Sequence, residues 1–258
     1  MQAFDAATAR SLAVAANDAL ADAIKRHPTR YAGMAAIAPQ DPAHAAREME
    51  RAVRWLGFKG VLINSHTQHE YLDDPKFWGI FEAVEALDVP LYLHPNTPSK
   101  GLIGPLLERG LETAIYGFSV DLGMHILSLI CTGVFDRFPK LRVVVGHLGE
   151  ALPFWLFRLD YFHAAQLRAG RYPTWKRLER RPSEYLRERF WYTTSGMPWA
   201  PAITFCQQVL GLDRVMYAMD YPYEYELQEV IDSDSIPVSA ADKKRFFQTN
   251  AEALFRLA

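Results

Sequence analysis

Three short hydrophobic runs in this chain each stop at a side chain able to bind a metal ion or move a proton. PLYLHP delivers His94, RVVVGH delivers His147, and RVMYAMD delivers Asp220 just before a Tyr-Pro-Tyr that cannot continue a strand. Helical periodicity fills the intervals, and strands joined by helical crossovers run parallel. Parallel strands that carry chemistry at their C-terminal ends restrict the fold more than any other feature here. They predict an α/β barrel with a site on its C-terminal face.

Strands are expected at 31–38, 58–64, 90–94, 142–147, 191–195 and 214–220. Helices are expected at 4–26, about 42–56, 75–87, 106–116, 120–135, from Gly149 to about 166, at 201–210 and at 240–257, with 170–186 as a basic, aromatic linker. That makes six strand–helix units, where a closed (β/α)8 barrel has eight. The first helix has no strand before it. The expectation is one barrel domain over residues 1–258, with the first two β/α units missing ahead of residue 1.

With 28 Lys and Arg against 30 Asp and Glu, net charge favours neither nucleic acid nor an anionic membrane as partner. The longest apolar run, 126–135, is far short of the roughly 20 residues of a membrane span, and no leader pattern is present. A cytoplasmic protein is expected. Cys131 and Cys206 sit within apolar helical patterns and read as buried thiols in a reducing compartment. There is no P-loop, dinucleotide fingerprint or paired C-x-x-C.

On the residues alone each candidate has two readings. His94 is a core imidazole or a ligand for Zn2+ or Mn2+. His147, between two glycines, bonds the backbone at a helix entry or faces a ligand, and Glu150 caps that helix or orients the imidazole, capping being favoured. Asp220 binds metal or caps a helix after the turn; a carboxylate ending an apolar run is costly to bury without a partner. Arg158 and Asp160 read as a surface ion pair. Asn64, Ser65 and His66, and likewise Thr193, Thr194 and Ser195, end strands on the same face and would line the pocket. Together the two histidines and the aspartate make a mononuclear metal site the leading arrangement.

Across APQDP, GFKGVLINSHTQ, LYLHP, VVGHLGEALPFWLFRLDY, TTSGMPWAPAI, AMDYPY and KKRFFQTNAE the sequence resembles the metal-dependent decarboxylase branch of the amidohydrolase superfamily. The resemblance implies a (β/α)8 TIM barrel in which His94 and Asp220 bind one divalent ion, Mn2+ or Zn2+. It implies a catalytic or ligand-positioning His147, Asp220 as proton donor, and Tyr223 against the substrate. It also implies a homodimer or homotetramer in which Arg158 crosses to the neighbouring active site. By the resemblance, family members open with a strand ending in His-x-His, Glu-x-His or Glu-x-Phe that supplies the first metal ligand, and no such strand is expected in this chain. The implied activity is non-oxidative decarboxylation of a small hydroxylated aromatic acid, 5-carboxyvanillate or similar. γ-Resorcylate or another dihydroxybenzoate as substrate, metal-dependent hydrolysis, and an inactive barrel fragment are the alternatives.

Overall fold

The computed structural model describes residues 1–224 and 226–257. The chain divides into two compact units, Met1–Arg142 and Val143–Ala258.

The first unit opens with helix α1 (Ala6–Arg26), started by Asp5, whose carboxylate accepts from the N–H groups of Ala7 and Thr8 at 3.0 Å each. Ala9, Ala13 and Ala21 form its buried stripe. Asn17 interrupts that stripe usefully: its amide donates to the Ala36 carbonyl (2.9 Å) and to Glu48 (2.6 Å), and its oxygen accepts from Ala36 N–H (2.8 Å). A side chain thereby satisfies the backbone of strand β1 (Met34–Ala36), as a buried polar group requires. Helix α2 (Pro42–Arg54), capped by Asp41 with Pro42 in its first turn, leads to β2 (Gly60–Asn64). Helix α3 (Trp78–Leu87) ends at Asp88, which is left-handed (φ 52°), and β3 (Leu91–His94) follows. The three strands are parallel, with Ala35 level with Val61, and Asn64 level with His94.

Helices α4 (Ile103–Leu107), α5 (Gly117–Cys131) and α6 (Val134–Arg137) complete this unit. The helix expected at 106–116 does not form; Gly110 turns the chain out of α4 at φ 65°. The helix expected at 120–135 is likewise divided by Gly133, at φ 83°.

The second unit holds the parallel strands β4 (Val143–Val145), β5 (Phe190–Thr193) and β6 (Val215–Met216). Between and after them lie α7 (Leu156–Ala169), α8 (Pro182–Glu188), α9 (Ala200–Leu210), α10 (Leu227–Asp234), α11 (Ala240–Lys244) and α12 (Asn250–Phe255). The expected linker contains α8, which Asp160 secures by accepting from Ser183 N–H (2.9 Å) and Oγ (2.7 Å). The last strand is shorter than expected. Beyond Met216, Tyr217 N–H bonds the Phe246 carbonyl (3.0 Å) and Ala218 N–H bonds Thr194 Oγ1 (3.0 Å), so ladder partners are replaced before Asp220. A π turn at Arg245–Thr249 divides the expected terminal helix. Among the described residues no helix is long and apolar enough to cross a membrane.

Candidate active site

In the first unit the ends of β2 and β3 carry the candidates. His94 Nδ1 lies 2.8 Å from the Pro95 carbonyl. A carbonyl only accepts, so Nδ1 carries the hydrogen and Nε2 the lone pair that a metal would take. The His94 carbonyl accepts from Ser65 N–H at 2.7 Å. Asn64 is held by Gln2, which accepts from Asn64 N–H (2.8 Å) and donates to the carbonyls of Asn64 and His66 (3.0 Å each). Behind these loops α5 presents Asp121 and His125, both fully buried. Tyr71 donates to Asp121 Oδ1 at 2.5 Å; burial and this bond raise the pKa of the phenol.

In the second unit the turn after β4 is unusual. His147, Leu148, Gly149, Glu150 and Ala151 all have positive φ, between 52° and 81°. A left-handed residue other than glycine costs roughly 1–2 kcal/mol, so the surroundings must hold this turn. Gly149 packs against the buried Tyr192 ring, where a Cβ would come within 2.5 Å. The helix expected from Gly149 therefore starts only at Leu156, and Glu150 does not cap it. Instead Glu150 Oε1, buried, accepts from His147 Nδ1 at 2.6 Å. Burial opposes protonation of His147, but the Glu150 bond and charge, with Asp220 and Glu224, outweigh it and raise its pKa.

Asp220, with φ 57°, puts Oδ2 3.9 Å from His147 Nε2. Among the described residues it caps no helix: α10 begins at Leu227, after Glu226. Gly196 lies against both His147 and Glu224, a Cβ there falling 3.0 Å from each. The turn after β4, the loop after β5 and the segment after β6 thus bring His147, Glu150, Asp220 and Glu224 together. Of the hydroxyl trio, Thr193 and Ser195 bond each other (3.1 Å), while Thr194 is committed to the Ala218 backbone. The Arg158–Asp160 pair does not form among the described residues. Asp160 serves Ser183, and the exposed Arg158 guanidinium lies 4.6 Å from the Phe162 ring centre. Tyr223 is 87% exposed.

Among the described residues no group of three or more His, Cys, Asp or Glu is gathered for a metal. In the first unit the His94 imidazole has a fixed tautomer, and in the second Asp220 offers a carboxylate; each by itself is a donor type suited to a divalent ion such as Mn2+ or Zn2+.

The sequence profile of the amidohydrolase family matches residues 1–257. The chain belongs to the amidohydrolase family. This amidohydrolase is similar to the 5-carboxyvanillate decarboxylase of Novosphingobium aromaticivorans DSM 12444, whose structure holds manganese and 4-hydroxy-3-methoxy-5-nitrobenzoic acid. The two are 54% identical with a TM-score of 0.98, over 99% of this chain and 73% of that one. The enzyme of the same name from Sphingomonas paucimobilis is 42% identical (TM-score 0.95), over 99% of this chain and 75% of that one. Gamma-resorcylate decarboxylase of Polaromonas sp. strain JS666 is 36% identical over 270 residues, which are 98% of this chain and 78% of that protein. The fold class is therefore the α/β TIM barrel of the amidohydrolases.

Sequence reading missed four residues of these sites. Glu224 stands just beyond the Tyr-Pro-Tyr that marks Asp220. Asp121 and His125 sit at i and i+4 on an otherwise apolar helix face, a legible sign of a buried polar pair. Gln2 precedes the first element and carries no pattern.

Proposed function

We propose that this amidohydrolase decarboxylates a hydroxylated aromatic acid without oxidation, using one divalent ion, Mn2+ or Zn2+. The observation that carries this reading is the Glu150–His147–Asp220 arrangement, in which an imidazole fixed by a buried carboxylate faces a second carboxylate at 3.9 Å. The greater identity to 5-carboxyvanillate decarboxylases than to gamma-resorcylate decarboxylase favours 5-carboxyvanillate as the substrate class.

His94 and Asp220 would hold the ion. When bound, it supplies positive charge for the substrate's carboxylate and neighbouring phenolate oxygens. Asp220 gives a proton to the ring carbon that bears the carboxylate. The bond to the carboxylate carbon then breaks, its electron pair returns to the ring, CO2 leaves, and water reprotonates Asp220. His147, anchored by Glu150, binds a substrate oxygen and balances local charge. Asn64, Ser65 and Tyr223 line the substrate pocket. Arg158 of a second copy grips a polar ring substituent and orients it.

A homodimer or homotetramer supports that last role. On α7 and just before it, Phe154 (75% exposed), Phe157 (84%) and Tyr161 stand within four residues of Arg158 in sequence, exposed aromatic rings of the kind that mark an interface. Two buried thiols, with burial pushing each pKa to about 12, support a cytoplasmic site of action.

Replacing Asp220 by Asn tests the mechanism. The expected outcome is loss of turnover by about 1,000-fold or more with the fold intact. Turnover within about tenfold of the parent protein would overturn the assignment.

A further inference from the structure

The structure assigns His66 a positioning role: by holding the Thr97 carbonyl it fixes the loop whose first carbonyl, that of Pro95, sets the tautomer and direction of His94. This rests on the reading of His94 as a metal ligand and deepens it. His66 acts through the backbone and touches neither ion nor substrate.

Both ring nitrogens of His66 face backbone groups whose roles cannot change. His69 N–H donates to Nδ1 at 3.2 Å, so Nδ1 holds the lone pair, and the hydrogen on Nε2 is given to the Thr97 carbonyl at 2.9 Å. The opposite tautomer would lose both bonds. The residue is 7% exposed, and its ring meets the Tyr71 ring edge-on with centroids 5.7 Å apart. The turn that presents it contains two left-handed residues other than glycine, Gln68 (φ 50°) and His69 (φ 71°), which the surroundings must hold. His69 is fastened in its turn, its Nδ1 accepting from Lys100 N–H at 3.1 Å. Two imidazoles after β2 thereby grip the loop after β3.

That loop transmits the constraint because its sequence leaves it little freedom. It begins His94-Pro95-Asn96-Thr97-Pro98. Each proline locks its own φ at about −65°, and Pro98 also confines Thr97 to extended conformations. Two carbonyls of this short stretch are each taken by an imidazole, Pro95 by His94 Nδ1 at 2.8 Å and Thr97 by His66. Farther along, Asp121 Oδ1 accepts from Ser99 N–H at 3.2 Å. With Thr97 held, the Pro95 carbonyl keeps one direction, His94 Nδ1–H follows it, and Nε2 is left with the lone pair. Loss of the His66 bond releases the torsions of Asn96 between the two carbonyls, and His94 is then free to exchange tautomers. A carbonyl on the second nitrogen of a metal-binding imidazole commonly accounts for 10–100-fold in metal affinity, by the general order of such effects.

The test uses the 258-residue protein with manganese alone as the probe, affinity being measured by calorimetry and tautomers by nitrogen-15 spectra of the metal-free protein. His66→Phe, which keeps a buried ring but no donor, is expected to weaken manganese binding about tenfold or more. In the same variant the His94 signals should change from a single Nδ1–H tautomer to a mixture. His66→Gln offers an amide N–H in place of Nε2–H, so its affinity should stay within about threefold of the parent, with a single His94 tautomer. Equal losses of affinity in the two variants would reveal general structural damage and overturn the proposal, as would an unchanged His94 tautomer in His66→Phe. In the parent protein His66 should be the Nε2–H tautomer; the Nδ1–H tautomer would overturn the proposal even where His66→Phe fails to fold. Manganese binding by the parent with unchanged affinity in His66→Phe overturns this inference alone. Absence of manganese binding by the parent overturns the metal reading of His94 with it.

Discussion

Glu150 decides what His147 can do. A carboxylate buried beside an imidazole fixes the ring's tautomer and direction, and loss of such a partner commonly lowers activity 10–100-fold in metal sites. Glu150→Gln keeps the shape and one acceptor but not the charge, so kcat should fall by roughly 10- to 100-fold while thermal stability changes little. His125 yields a prediction on stability. Its folded-state pKa, about 3, lies below the unfolded value near 6.5, so the unfolded chain takes up a proton in that window and the folded chain does not. Its contribution is present above pH 6.5 and is lost as the pH falls toward 3. Denaturant unfolding should show stability dropping by on the order of 1 kcal/mol per pH unit across that window, and His125→Phe, where it folds, should flatten the slope. The placement of His94, His147 and Asp220 after strands was legible because each follows a hydrophobic run and stands at a turn. Glu150 was legible only as the less favoured of two readings, since a glutamate three residues after a turn histidine also has the spacing of a helix cap. Only the backbone, left-handed from His147 to Ala151, turns the carboxylate back onto the ring.

At the scale of elements, the turn after β4 is the part least accessible to sequence reading. Periodicity gave the strand and the helix on either side, yet not five successive positive φ values. Gly149 alone hinted at it. The turn persists because Tyr192 packs on Gly149 while the Tyr192 hydroxyl donates to the Leu186 carbonyl at 2.5 Å, which leaves the ring no room to retreat. Gly149→Ala combines an unfavourable φ with a steric overlap and should cost about 3 kcal/mol, lowering Tm by roughly 6–12 °C. Calorimetry showing an unchanged Tm would mean that the turn is not held as described. The other misplaced boundaries have similar causes. Gly110 and Gly133 end helices where an apolar pattern runs on, and Tyr217 and Ala218 find partners outside the strand ladder although their sequence is strand-like.

For the whole molecule, the α/β class was legible from six hydrophobic runs alternating with helical segments, and kinship with the amidohydrolases agrees with it. Assembly is a separate matter, because an exposed aromatic surface on one helix is visible only once the helix is packed. If Phe154, Phe157 and Tyr161 are covered by a second copy, sedimentation should find a dimer or larger species, and Phe157→Glu should shift it toward monomer with a large loss of kcat/KM. A monomeric parent protein that retains full activity would remove Arg158 from the mechanism. The central claim is the release of CO2 with protonation of the ring, and it is tested most directly by giving the manganese-loaded protein 5-carboxyvanillate, isotopically labelled in its 5-carboxylate, in heavy water. The account predicts labelled CO2 and vanillate carrying deuterium at the carbon that lost the carboxylate. Label retained in an acid product, whether unreacted or hydrolysed elsewhere, would contradict it.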